Sequence, residues 1–154
     1  MSEREGPQRE RETPSEREGP QRERETPSER EGPQRELARV EVERHGEVAV
    51  ARLAGELDLS NAGTVEDQVT SGLGGITSVA VDLGQLSYLD SAGLALLSRL
   101  AARLAGPGGA GGSLRLVVPP DALVRRALWI SGLAQAIPVD ETVEAALSAL
   151  SALR

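Results

Sequence analysis

Apolar and polar positions change period several times along this chain, and each change marks an element. From Ala38 to Arg44, Val40 and Val42 alternate with Glu41 and Glu43, the pattern of a strand with one face in water. His45-Gly46 reads as a turn. Val48 to Leu53 returns as a second strand, apolar on both faces, and the two predict a hairpin. Ala54 to Asn61 reads as a loop feeding a helix from about Ala62 to Ser71, with Ser60 or Asn61 as cap, Val65 and Val69 inward, and a stop at Gly72, Gly74 and Gly75. Ser78 to Leu83 is a continuous apolar run, as a central strand covered on both faces requires.

A short loop then leads to a helix entered at Asp90-Ser91-Ala92-Gly93. Leu94, Leu97, Ala101 and Leu104, flanked by Leu96 and Leu100, form its core stripe. Ser91, Ala95, Arg99 and Ala102 form another stripe with no large apolar residue. Leu114 to Val118 is a fourth strand, stopped by Pro119-Pro120. Asp121 then reads as the cap of a helix carrying Leu123, Val124, Ala127 and Leu128, with Arg125 and Arg126 toward water and Trp129 in packing. Ala136 to Val139 reads as a short edge strand, and Asp140 as the cap of a last helix through Val143, Ala146, Leu147, Leu150 and Leu153. Strands alternating with helices after a hairpin predict an α/β fold: a mixed, mainly parallel sheet of four to five strands with about four helices.

The pattern is absent before Leu37. Ser2 to Pro14 recurs from Ser15 to Pro27, and its first nine residues recur from Ser28 to Glu36. These copies hold nothing apolar enough to bury, and Gly-Pro and Thr-Pro break any helix that Glu and Arg would favour. Residues 1–36 are therefore expected to be a disordered low-complexity tail, and 37–154 to be one domain.

Composition narrows the chemistry. The net charge is −7, with no Lys, no Cys, no Phe and a single His, Trp and Tyr. An acidic chain with few aromatics lacks both the basic face and the stacking platforms that nucleic acid needs. Without Cys and with one His at a turn tip, no metal site and no cofactor are expected. No apolar run approaches the ~20 residues of a membrane span, and a charged N-terminus is no secretory signal, so a soluble cytoplasmic protein is expected. Gly106-Pro-Gly-Gly-Ala-Gly111 matches G-x-G-x-x-G, but a helix precedes it and a strand follows, the reverse of a dinucleotide site. A P-loop needs the missing Lys. Ser91 is outside a Gly-x-Ser-x-Gly elbow and has no His base within reach, so no catalytic residue is assigned. Asp58 and Asp90 read as loop and capping carboxylates rather than an acid/base pair.

Ser91 has two readings. A Ser at a helix start commonly caps it. This one also follows a central strand, where α/β folds place functional groups, and its neighbours are small. A phosphate there would add about −1.5 to −2 charges beside Asp90 and repel a bound partner.

Gly55-Glu-Leu-Asp58-Leu, followed by Leu86-Ser-Tyr-Leu-Asp-Ser91-Ala-Gly-Leu94, resembles the STAS domain, and more narrowly the bacterial anti-sigma factor antagonists. The resemblance covers about Val40 to Leu153. It implies a non-enzymatic protein that binds an anti-sigma factor Ser/Thr kinase and so frees a sigma factor. It implies Ser91 as the phosphorylated residue, release on phosphorylation, and a Ser/Thr phosphatase that resets the switch. It also places Asp58 near Ser91 at the contact. Asp58, Asp90, Ser91, Ala92, Gly93, Ala95 and Arg99 are then the expected partner-binding residues. The alternative is a STAS scaffold subunit of a stress-sensing or lipid-transport complex, in which Ser91 only caps its helix. The N-terminal repeat has no counterpart in the resemblance, and the Gly-rich loop at 106–113 is long for it.

Overall fold

The computed structural model describes residues 37–107 and 112–153. The repeat expected to be a disordered tail, and the centre of the glycine-rich loop, lie outside the described residues. The chain forms β1 (Arg39–His45), β2 (Val48–Leu57), α1 (Ala62–Leu73), β3 (Ser78–Leu89), α2 (Ser91–Ala105), β4 (Ser113–Val117), α3 (Arg125–Ile130), α4 (Leu133–Ala136), β5 (Val139–Asp140) and α5 (Val143–Ala152). The five strands lie side by side in chain order. β1 and β2 are an antiparallel hairpin, and every later pairing is parallel. This is the mixed α/β sheet that the pattern predicts.

Alternation along the central strands decides what covers each face. Ala49, Ala51 and Leu53 of β2, with Val79, Val81 and Leu83 of β3, join the main core with Val65, Val69 and Leu73 of α1 and Leu96, Leu97, Leu100 and Leu104 of α2. Val48, Val50, Ala80 and Val117 point the other way, onto Ala146 and Leu150 of α5. With no Phe, leucine supplies most of the bulk. Each fully buried Leu is worth about 1.5–3 kcal/mol, so the α2 stripe alone fixes that helix firmly on the sheet.

Several local expectations are revised. β2 and β3 run on to Leu57 and Leu89, so the stretches read as loops there are paired strand, with register shifts after Arg52 and Gly55. Among the described residues there are five helices where about four are expected: the chain turns at Gly132, and the expected edge strand from Ala136 starts as the single turn α4. Thr142 caps α5, its Oγ1 accepting from the Ala145 amide at 3.1 Å. Asp140 instead takes the Arg115 guanidinium at 2.7 Å. Asn61 stands at the N-cap position of α1 without a side-chain capping bond. Its Oδ1 accepts from the Asp58 amide at 3.0 Å and its Nδ2 donates to the Glu56 carbonyl at 2.8 Å, which closes the loop between β2 and α1.

Leu123, expected on a helix capped by Asp121, instead precedes α3, which begins two residues later, and is 75% exposed while Val124 and Leu128 are buried. Trp129, expected in packing, is 41% exposed and lies under the Arg125 guanidinium, 4.2 Å from the ring centre. Arg125 therefore does not simply face water; it also donates to the Val118 carbonyl at 3.2 Å.

A carboxylate staples the two helices on the main face. Glu66 of α1 accepts from Nε and Nη2 of Arg99 at 3.2 and 2.8 Å, and from Nη1 of Arg103 at 3.2 Å, both on α2. These bonds, the one from Arg99 first, hold the Glu66 carboxyl below the usual carboxylate range. A carboxyl depressed in the folded state stabilises above its unfolded pKa, and the gain is lost as pH falls through the folded one. Glu66→Gln is thus expected to cost less than about 1 kcal/mol at pH 7, since both arginines are half in solvent. The difference from wild type should shrink as pH falls through and below the usual carboxylate range, and in high salt. Chemical denaturation at pH 7 and pH 3 checks it; an undiminished difference at pH 3 would assign the effect to packing.

Candidate functional site at the entrance to α2

Parallel pairing brings the C-terminal ends of β2 and β3 to the same edge of the sheet, where Leu57 and Leu89 are register partners. The loop bearing Asp58 and the entrance to α2 therefore start side by side, and the Asp90 amide donates to the Leu57 carbonyl at 3.2 Å. Asp90 is the N-cap of α2. Its Oδ1 accepts from the amides of Ala92 and Gly93 at 2.9 and 3.1 Å. Its Oδ2 accepts from the Leu59 amide of the neighbouring loop at 3.2 Å. One carboxylate thus anchors both halves of the site.

With the cap supplied by Asp90, Ser91 is the first helical residue, and its side chain is exposed. The hydroxyl is presented without being used to start the helix. Ala95, Arg99 and Ala102 continue the exposed stripe, and Ala92 is half-buried. Arg99 is on this surface, but its guanidinium is held by Glu66.

Gly93, expected at the partner contact, is buried and belongs to the packing beneath it. A Cβ there would run into Leu89 Cδ1 and stand 3.1 Å from Leu57 Cγ. A larger residue at this position would require the Leu89 and Leu57 side chains to shift.

Asp58, expected in an exposed loop, is also buried. Its Oδ1 accepts from the Ser60 amide at 3.0 Å and from the Ser60 hydroxyl. Its carbonyl accepts from the amides of Asn61 and Ala62 at 3.1 and 2.8 Å. Asp58 therefore shapes the loop rather than offering a free carboxylate. The structure does bring this loop to Ser91, through the Leu59–Asp90 bond. What the tight turn presents outward is Leu59, 81% exposed. Sequence reasoning passed over Leu59; the signal was a large apolar residue between Asp58 and Ser60 in a stretch read as loop.

Among the described residues no cluster of His, Cys, Asp or Glu could hold a metal ion, and no helix is long and apolar enough to cross a membrane. His45 sits at the tip of the hairpin, its Nε2 3.3 Å from Glu43 Oε1, with no part in the site.

The cap can be tested directly. Asp90→Ala is expected to cost about 1–2 kcal/mol, the upper end of the range for an N-cap, because it also frees the Leu59 amide. Asp90→Asn should recover part of that. Ser91→Ala should stay within about 0.5 kcal/mol of wild type. Thermal unfolding of the three variants decides it: a large loss at Ser91→Ala would mean that the hydroxyl shares the cap.

The model of the STAS domain family matches residues 39–146. The chain belongs to the STAS domain family. Among solved structures, an anti-sigma factor antagonist from Mycobacterium paratuberculosis is similar at 25% identity, covering 75% of this chain and 95% of that one, with a TM-score of 0.61. The anti-sigma factor antagonist SpoIIAA in its unphosphorylated form shares the fold at 24% identity, covering 74% of this chain and 97% of that one, with a TM-score of 0.57. The phosphorylated form of the Bacillus cell fate determinant SpoIIAA, also 24% identical, covers 71% of this chain and 97% of that one, with a TM-score of 0.50. No curated protein matched the chain. In this STAS domain the matched segment runs from β1 into the first turn of α5, so it contains the whole Asp58–Asp90–Ser91 arrangement.

Proposed function

We propose that this STAS domain is an anti-sigma factor antagonist: it binds an anti-sigma factor that is a Ser/Thr kinase, frees a sigma factor in the cytoplasm, and lets go when Ser91 is phosphorylated. The observation that carries the reading is the division of labour at the helix entrance. Asp90 makes the capping bonds, which leaves Ser91 exposed and without a structural duty. Similarity to the Mycobacterium anti-sigma factor antagonist supports the class of partner.

The contact face consists of Ser91, Ala92 and Ala95, with Leu59 from the loop that Asp58 shapes, and Asp90 and Arg99 at its margins. In the phosphorylation step Ser91 Oγ attacks the γ-phosphorus of ATP held by the kinase. The hydroxyl proton passes to a kinase base and ADP leaves. A Ser/Thr phosphatase returns Ser91 by hydrolysis of the ester. The domain contributes an accessible hydroxyl and small neighbours that let the kinase approach; it supplies no catalytic group.

The test is to incubate the full chain with each anti-sigma factor kinase of its organism and ATP, and to map the phosphate by mass spectrometry. A single phosphate on Ser91 is expected. Phosphate at other residues only, or none with any of these kinases, refutes the reading.

A further inference from the structure

Three large apolar side chains left exposed, Tyr88, Leu123 and Ile130, lie together beside the Ser91 helix. An open groove of about 510 Å³ runs between the first turn of α2 and α3, lined among others by Tyr88, Leu94, Leu123, Ala127 and Ile130. Leu123 and Ile130 are 75% and 72% exposed. Leu94 stands one helical turn beyond Ser91, so the groove adjoins the phosphorylation site. Among the described residues Arg126 is the one charged residue that lines it.

Arg126 differs from the other arginines of the described residues. Arg44 donates to the Gly72 carbonyl, Arg52 pairs with Glu43, Arg99 and Arg103 with Glu66, and Arg115 with Asp140. Arg125 is held by the Val118 carbonyl and the Trp129 ring, and Arg39 is also engaged. Arg126 alone among the described residues has no such partner. An apolar surface with one uncommitted guanidinium is complementary to an apolar segment that carries a carboxylate.

We propose that this groove receives such a segment, apolar with an Asp or Glu beside it, from the anti-sigma kinase, with Arg126 pairing the carboxylate. The inference rests on the function proposed above and adds the chemistry of the partner's contact. A second copy of the chain fits poorly. In a two-fold contact between grooves each Arg126 would meet the other copy's groove, and among the described residues no carboxylate lines it to receive the guanidinium. A fatty acid has the right charge, but an open groove leaves its hydrocarbon chain half in water, unlike the enclosed sites that hold small ligands.

The experiment measures affinity between the full chain and the kinase that phosphorylates it. Arg126→Glu is expected to weaken binding about 30-fold, Arg126→Gln about 5- to 10-fold, and Arg126→Lys less than either. Leu123→Asp should weaken it at least 10-fold; both side chains are exposed, so the fold should survive, which circular dichroism checks. Added salt should weaken the wild type more than Arg126→Gln. A photo-cross-linker placed at Leu123 should capture a kinase peptide that is apolar and contains Asp or Glu. If a complex forms and Ser91 is phosphorylated while Arg126→Glu and Leu123→Asp bind as wild type, this inference fails and the proposed function stands. If no kinase binds, both fail. Cross-links to a second copy, or a basic kinase peptide, overturn it. So does oleate binding that Arg126→Glu abolishes while kinase affinity is unchanged.

Discussion

Ser91→Asp is expected to weaken binding to the anti-sigma kinase at least 10-fold, and enzymatic phosphorylation about 100-fold or more, while Ser91→Ala binds as wild type. The reason is electrostatic and local. The amides of Ala92 and Gly93, which would otherwise receive a new anion, already donate to Asp90 Oδ1. A phosphate on Ser91 therefore meets a carboxylate one residue away and finds the nearest helix donors taken. In water the resulting repulsion is mild, about 1 kcal/mol per charge pair at contact, but it grows several-fold once a partner excludes solvent. The penalty thus falls mainly in the complex, where about 1.4 kcal/mol corresponds to the 10-fold loss and about 2.7 kcal/mol to the 100-fold loss. Stability should move differently. A negative group in the first turn is favoured by the helix dipole, so Ser91→Asp should unfold at or slightly above the wild-type temperature. Calorimetric titration together with thermal unfolding separates the two effects. If Ser91→Ala and Ser91→Asp bind alike, release is not electrostatic; if both lose binding, the hydroxyl itself is part of the contact.

Most of this site was legible in the sequence because it is built from local rules. The order of strands and helices follows from apolar period, and the position of Ser91 at the start of α2 follows from the change in period at Asp90. What the sequence hid was set by pairing across distance. β2 and β3 outrun their apolar runs because Gly55 pairs with Leu86 and Leu57 with Leu89, contacts more than thirty residues apart. Asp58 and Gly93 looked like surface residues by type, yet the loop and the first turn of α2 fold them inward. Which of Asp90 and Ser91 caps the helix was ambiguous by composition, since both types cap well. Backbone geometry chose Asp90: its residue is extended, with φ −104° and ψ −172°, and only the following one is helical. Leu123 was misplaced because α3 starts late, which turns Val124 inward and leaves Leu123 beside the groove.

The glycine that opens the Gly-Glu-Leu-Asp segment should prove the costliest single position near the site. Gly55 has φ 90°, and a Cβ there would stand 2.5 Å from the Leu37 carbonyl oxygen and 3.1 Å from its carbon. The obstacle is backbone, so no rotamer change relieves it. Strain from the positive φ is worth about 1–2 kcal/mol, and forcing the Leu37–Ala38 segment aside adds a similar amount. The lower entropy of an unfolded chain with Ala returns less than about 1 kcal/mol. Gly55→Ala is therefore expected to lose about 2–3 kcal/mol, which lowers the melting temperature of a domain this size by roughly 10 °C. Gly46→Ala is the internal control: Gly46 also has a positive φ, 67°, but a Cβ there would meet nothing within 4 Å. It should lose only the conformational part, about 1 kcal/mol. The damage at Gly55 should also reach function. The Gly55 carbonyl accepts from the Ser87 hydroxyl at 3.2 Å, and the strand leads two residues on to the Leu57 carbonyl that receives the Asp90 amide. Phosphorylation of Ser91 should accordingly slow in Gly55→Ala at a temperature where the domain is still folded, and remain normal in Gly46→Ala. Equal melting temperatures for the two variants would show that Leu37 yields at no cost and that the close approach does not hold the site.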